Sequence, residues 1–389
     1  VRVLITTWNW NTLYFPLVPL AWSLRAQGHE VVVATQPGLV GTVRRSGLPA
    51  AAVGESVDAG AMMGGFLRRL AGSEGVDPPH WRDMHRYGTS NCRLGVAACW
   101  AMMDGLLDFA RRWRPDVVLY EAWTYAGPMV ADLLGVPAFR HTWGIDYAGL
   151  FREFEAEALA DVRAHWGLDE VPSLAAVSVD PCPPQLQIAL PDSRLPMQYV
   201  PYNGPGVLPD WLNEPRSRKR VCVSWGTSSG RFDRKMVVTG QVVRAVAGLD
   251  VEVVAAVTAA DADLIGELPA NVRVVSGIPF NALLPRCDLV ISHAGLGTVM
   301  TALASGTPQL LVPQMTDTAL NAEILAGHGC GEFLLPSELT DEILLEKAAR
   351  MLEDPAFTSA TASVRDTMRQ LPTPNEMAAH LTSLVFSAV

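Results

Sequence analysis

Short β-branched runs bounded by turn residues recur between helix-length segments, the alternation of parallel sheets covered by helices on both faces. Val1–Thr7 reads as a strand, Pro16–Gln27 as a helix stopped by Gly28, and Val31–Thr35 as the next strand, followed by a helix that Gly47 ends. Asp116–Glu121, after helical residues around Ala101–Trp113, and Pro137–Trp143 add two buried strands, so the first half predicts at least four parallel strands. A second cycle restarts the pattern with Arg220–Trp225, Val251–Val257, Val272–Gly277, Asp288–His293, Gln309–Pro313 and Gly331–Leu335.

Between the cycles, Gly204–Pro215 is rich in turn formers and Arg216–Arg220 in charge. This places a first domain at 1–203, a linker at 204–219 and a second domain at 220–372. The segment 373–389, amphipathic after the break at Leu371-Pro-Thr-Pro374, is expected to return to the first domain. The basic run reads as a solvated linker. Ligands of open parallel sheets sit beyond the carboxyl ends of the strands, so chemistry is expected there, in a cleft between the domains.

Composition narrows the function. Of 389 residues 49% are hydrophobic and 18% charged, enough apolar surface to fold, and the net charge of −10 opposes nucleic acid and anionic membranes as partners. Six cysteines without a CxxC pair suggest neither a disulfide framework nor a zinc cluster, and fit a reducing cytosol. With no signal-peptide zones at VRVLITTWNW and no apolar stretch near the roughly 20 residues that span a bilayer, a cytoplasmic protein is expected.

The most informative stretch is Asp288-Leu-Val-Ile-Ser-His-Ala-Gly-Leu-Gly-Thr298, a buried strand that ends at His293 and passes through Gly295 and Gly297 into a helix. Two glycines allow close backbone approach, and free amides at the positive end of a helix attract a phosphate or diphosphate. His293 and Thr298 could donate to the same anion. A glycine-packed helix entry explains the pattern equally well by itself. Ser224-Trp-Gly-Thr-Ser-Ser229 offers a second small-residue turn, and Asp317 a carboxylate suited to sugar hydroxyls or to a helix N-cap.

These residues resemble a known family. His293-Ala-Gly-Leu-Gly-Thr through Pro313, followed by Asp317 and Asn321, is similar to the nucleotide-sugar signature of the inverting two-domain (GT-B) glycosyltransferases of family 1. Phe15–Val31, Arg140–Asp146, Asp180–Pro184 and Gln198–Gly204 resemble the actinobacterial enzymes of natural-product biosynthesis, the subgroup of spinosyn rhamnosyltransferase and polyketide C-glycosyltransferases. The resemblance implies two Rossmann-like domains facing a cleft, an acceptor-binding first domain and a donor-binding second one. It implies transfer of a deoxysugar from a TDP-sugar to a hydrophobic polyketide aglycone, with no metal and no cofactor beyond the donor. Ser224, Gly226, Thr227, His293, Gly295, Gly297 and Thr298 would then meet the diphosphate, Ile278 the base, and Asp317 and Thr318 the sugar. Relatives commonly carry Gln where Thr318 stands, and a deoxysugar would suit the shorter side chain. A homodimer and an activator protein are further partners the resemblance leaves open.

The position of the usual catalytic histidine is Leu13, which cannot take a proton. Glu121, His141 and Asp146 are the remaining candidates for the base. Glu121 stands at a strand end beside Leu13, where partial burial raises a carboxyl pKa, or where it merely caps a helix starting near Thr124. Leu13 also admits a donor-binding pseudoenzyme or auxiliary subunit, or a chain whose base was deliberately removed. A dinucleotide-dependent oxidoreductase is disfavoured, because no G-x-G-x-x-G follows Thr7. His80-Trp-Arg-Asp-Met-His85 has metal-ligand residue types at a spacing that does not align both rings on one helical face. Trp8, Trp10, Tyr14, Trp81, Trp123 and Trp143 are expected around first-domain loops, together with variable acceptor loops at Gly54–Gly95 and Trp143–Trp166.

Overall fold

The computed structural model describes residues 1–62, 77–227 and 229–388, so part of the Gly54–Gly95 loop and Ser228 lie outside the described residues. The chain divides into two compact units, one of Val1–Ala59, Met84–Gly204 and Gln370–Val389, the other of Gly60–Asp83 and Pro205–Arg369.

The first unit contains strands β1 (Arg2–Thr7), β2 (Glu30–Thr35), β3 (Ala50–Ala52), β4 (Val117–Glu121), β5 (Ala138–His141), β6 (Ser178–Asp180) and β7 (Arg194–Pro196). They form one parallel sheet in the order β3-β2-β1-β4-β5-β6-β7. The four apolar runs of the sequence are β1, β2, β4 and β5; the other three strands are only three residues long and carry too little pattern to be read. Val3, Ile5, Leu119 and Phe139 face one side of the sheet, where they bury against the helix Val18–Ala26 and the last helix, Pro374–Ala388. That last helix contributes Met377, Ala378, Leu381 and Val385 to this core, and Gln27 donates to both the backbone and side-chain oxygens of Asn375 at 2.7 Å.

The strands of the second unit are β8 (Lys219–Ser224), β9 (Val251–Ala256), β10 (Val272–Val275), β11 (Leu289–Ser292), β12 (Gln309–Leu311) and β13 (Gly331–Phe333). They are parallel in the order β10-β9-β8-β11-β12-β13, and each coincides with a run read from the sequence. Both sheets reverse direction of winding next to their first strand, the doubly wound Rossmann arrangement. A crevice opens at such a switch point, here beyond β1 and β4 in the first unit and beyond β8 and β11 in the second.

Arg216 to Lys219 of the basic run are exposed, as its reading as a solvated stretch expects, and only Arg220 is buried as the run enters β8. Arg216 pairs with Asp288 at 2.6 Å, Arg218 with Asp250 at 3.0 Å and Arg220 with Glu252 at 2.9 Å. Arg220 is buried with its guanidinium over the Trp211 ring, so the run forms the ionic amino-terminal edge of the second sheet. Among the described residues no helix is long and apolar enough to cross a membrane, and all six cysteines are buried free thiols.

Candidate functional site

β8 and β11 are neighbours with Ser224 opposite Ser292, and each serine hydroxyl accepts the amide two residues on, Gly226 and Ala294 respectively, at 3.2 Å. The two strand ends therefore curl into matching tight turns. His293 fills the space between them. A Cβ on Gly226 would come within 2.7 Å of the imidazole, and one on Gly295 within 2.5 Å, so the ring is clasped by two positions that only glycine can occupy. The imidazole is buried and its Nδ1 has no hydrogen-bond partner. Burial lowers its pKa to about 4, against a smaller pull from the Ser224 backbone, which leaves the ring neutral at pH 7.

Directly after this turn, the helix Leu296–Ser305 starts at Gly295 without a side-chain cap on its first amides. Gly297 borders open space, while Thr298 is buried in the first turn. An uncapped helix start beside a tight glycine turn is a ready anion site. One strand further on, the helix Thr316–Gly327 brings the half-buried Asp317 to the same sheet end. Burial raises the Asp317 carboxyl to about 6 while the Thr318 amide pulls it down. Trp225 ties the first turn to this region, its indole donating to Gln314 Oε1 at 3.0 Å.

Not every expected donor contact is brought here. The Thr318 hydroxyl accepts from the amides of Gln314 (3.1 Å) and Met315 (2.9 Å) and donates to the Met315 carbonyl (2.8 Å). It is a buried helix cap with no capacity left for a sugar, and the inference of a deoxysugar from its shorter reach loses its ground. Thr227 is exposed beside the first turn. Ile278 follows the edge strand β10, two strands from β8, with its side chain packed on the cluster of Cys222 and Leu283. Sequence reading named Ser224 but passed over Ser292, its counterpart in the second turn; the signal was a serine closing each of two apolar runs.

In the first unit, Glu121 and His141 end the adjacent strands β4 and β5 as register partners, on the sheet face that carries Leu119 and Phe139. The Glu121 carboxyl is buried and accepts from the Trp123 amide (2.9 Å) and the Thr124 hydroxyl (2.7 Å), so it closes the turn after β4 and does not cap the helix Ala126–Leu134, which has no side-chain cap. Burial outweighs those donors and raises its pKa to about 7. Its position at the switch point next to β1 puts it where a ligand would lie. His141 is buried, its Nε2 unpartnered, and burial lowers its pKa to about 4. Asp146 is taken up elsewhere: both oxygens receive the Arg140 guanidinium at 2.7 and 2.9 Å, and Arg194 adds a third contact at 2.9 Å. Burial alone would raise its pKa, but the two arginines bring it to about 2, and a carboxylate so held is a structural anion. Leu13 is buried.

Trp8 and Trp10 stack at 5.8 Å just past β1, and Trp123 and Trp143 meet edge to face at 5.5 Å past β4 and β5, so aromatic rings gather at the strand ends around Glu121. Two aromatics expected with them lie elsewhere. Tyr14 is a core residue bonded to Ser46, and Trp81 belongs to the second unit, its indole donating to Glu323 at 2.9 Å. His80 and Arg82 converge on the same Glu323 carboxylate at 3.0 and 3.3 Å. Among the described residues no group of three or more His, Cys, Asp or Glu side chains could hold a metal ion.

The sequence matches the erythromycin biosynthesis protein CIII-like family, its N-terminal domain over residues 22–226 and its C-terminal domain over 240–384. It is 36% identical to 10-deoxymethynolide desosaminyltransferase of Streptomyces venezuelae, over 96% of this chain and 95% of that protein. The solved structure of the glycosyltransferase VinC in complex with dTDP superposes with a TM-score of 0.84 at 31% identity, covering 100% of both chains. Spinosyn rhamnosyltransferase SpnG complexed with thymidine diphosphate gives 0.83 at 31% identity, over 99% of this chain and 100% of that one, and SpnG has also been solved with spinosyn aglycone. These relatives are transferases, and nothing among them favours a non-catalytic subunit. With two doubly wound sheets, a clasped histidine beside an uncapped helix start, and matches along nearly its whole length, the chain belongs to the erythromycin biosynthesis protein CIII-like family and is a GT-B glycosyltransferase of hexosyltransferase type.

Proposed function

We propose that this enzyme transfers a deoxysugar from a thymidine diphosphate donor, with inversion at the anomeric carbon, to a hydrophobic polyketide or related natural-product aglycone. The observation that carries the reading is the His293 ring held between Gly226 and Gly295 at the second switch point, next to the free start of the Leu296–Ser305 helix. The diphosphate would lie on Ser224, Gly226, Thr227, His293, Gly295, Gly297 and Thr298, with the thymine toward Ile278 and the sugar toward Asp317. The thymidine diphosphate complexes of VinC and SpnG support that class of donor. The deoxysugar reading rests on relatives such as the desosaminyltransferase, and the aglycone reading on the aromatic cluster of the first unit and on SpnG's own complex.

In this scheme the acceptor oxygen attacks the anomeric carbon as the bond from that carbon to the diphosphate oxygen breaks. Helix dipole and backbone amides stabilise the charge that grows on the departing diphosphate. Glu121 takes the acceptor proton: its pKa near 7 is the value at which a base is both ionised and effective at neutral pH. The unpaired thiols and acidic composition suit a cytosolic enzyme.

The test is turnover with thymidine diphosphate deoxysugars and a panel of polyketide aglycones. His293→Ala is expected to lose about 100-fold in kcat/KM; unchanged kinetics would take His293 out of the site. Leu13→His, measured in parallel, is expected to leave turnover unimproved, and a large gain in O-transfer would show that Glu121 is not the working base.

A further inference from the structure

The turn that carries His293 is forced into an uncommon conformation at one residue. Ala294 has φ 63°, a left-handed value that an L side chain adopts only when held there. It is fully buried, and both of its backbone polar groups are tied. Its amide donates to Ser292 on the preceding strand, and its carbonyl accepts from Asn321 Nδ2 at 2.9 Å. Asn321 is itself buried and comes from another element, the helix Thr316–Gly327. Because Gly295 and the Leu296–Ser305 helix follow at once, rotation at Ala294 sets where the first helical amides point and whether Gly295 stays against the imidazole.

We propose that Asn321 is a positioning residue for the donor: its amide locks Ala294 in the left-handed conformation and so keeps His293 and the start of the Leu296–Ser305 helix aimed at the diphosphate. The inference rests on the donor reading above. It gives the Thr316–Gly327 helix two tasks, presenting Asp317 at its first turn and holding the neighbouring anion turn one turn later. Removing the Asn321 amide leaves a buried carbonyl unpaired and lets Ala294 relax to ordinary values, which swings Gly295 and the helix start away. A glycine at 294 carries no such bias and should hold the turn without help.

The experiment is a calorimetric titration of thymidine diphosphate into wild type, Asn321→Ala, Ala294→Gly and the double variant, with donor and acceptor KM measured alongside. Asn321→Ala should weaken nucleotide binding about tenfold and raise donor KM while acceptor KM holds. Ala294→Gly alone should bind within about twofold of wild type, and the double variant should recover most of the loss. Asn321→Ser, which keeps a donor too short to reach, replaces the alanine variant if that one does not fold, and should be rescued in the same way. Wild-type affinity in the Asn321 variants, or a loss that Ala294→Gly does not restore, overturns the lock. Failure of the wild type to bind thymidine diphosphate at all overturns the donor reading first and this one with it.

Discussion

Glu121 joins stability to chemistry within one side chain. Its carboxyl, ordinarily near 4.5, is raised to about 7 by burial, so the folded protein prefers the protonated form. The stabilisation is fully present below the unfolded value near 4.5 and is lost as pH rises through 7. The span corresponds to roughly 3 kcal/mol. Urea melts at pH 5 and pH 8 should show a larger loss in wild type than in Glu121→Gln, the difference being the part due to Glu121, because Glu155 and Asp317, raised to about 7 and about 6, titrate in the same window in both proteins. The kinetic counterpart has the same pKa and the opposite benefit: as a base Glu121 must be ionised, so kcat/KM should climb with pH through about 7. Glu121→Gln should fall by about 100-fold or more and lose that limb. An unchanged pH profile in the variant would assign the base elsewhere.

Elements are held by different forces in different places. The central strands β1, β2, β4 and β5 pack on apolar side chains, whereas the three-residue β6 and β7 are fastened by charge: Arg194 bridges Asp146 (2.9 Å), Asp180 (2.7 Å) and Asp192 (2.9 Å), and Arg140 closes on Asp146. Asp146→Ala would leave Arg140 buried and unpaired, and chemical denaturation should register a loss of about 3–5 kcal/mol. A loss below about 1 kcal/mol would mean that the network adapts. At the other switch point the constraint is steric. Gly226→Ala places a methyl 2.7 Å from the His293 ring at φ 65°, and should weaken thymidine diphosphate binding about tenfold or more with the far-UV spectrum unchanged.

At the scale of the whole molecule, the two units repeat one topology, yet the chain does not visit them in simple succession. Residues 77–83 belong to the second unit, where Asp77 accepts from Ser337 and residues 80–82 grip Glu323. After the second unit is complete, Pro374–Ala388 returns to cover the Val18–Ala26 helix of the first. Deleting residues 373–389 should therefore uncover the core around Leu20 and Leu24, lower the melting temperature of the first unit and speed its proteolysis, while the second unit keeps its nucleotide affinity. Equal damage to both would show that they unfold as one.

Much of this was legible in the sequence because the information was local. Six short runs marked the second sheet strand for strand: β8, β9, β11 and β12 are buried and apolar along nearly their whole length, while the edge strands β10 and β13 are only partly buried and were marked by their turn-bounded runs. His293 with Gly295 and Gly297 marked the anion turn, because a tight turn into a helix needs residues without bulk. What the tertiary structure alone decided depends on partners distant in the chain. Asp146 was taken by Arg194 of β7 as well as by nearby Arg140, Trp81 went to the second unit, and Ala294 is held left-handed by Asn321 from the helix Thr316–Gly327. A side chain's type states which bonds it can make; only the fold brings up the groups that compete for them.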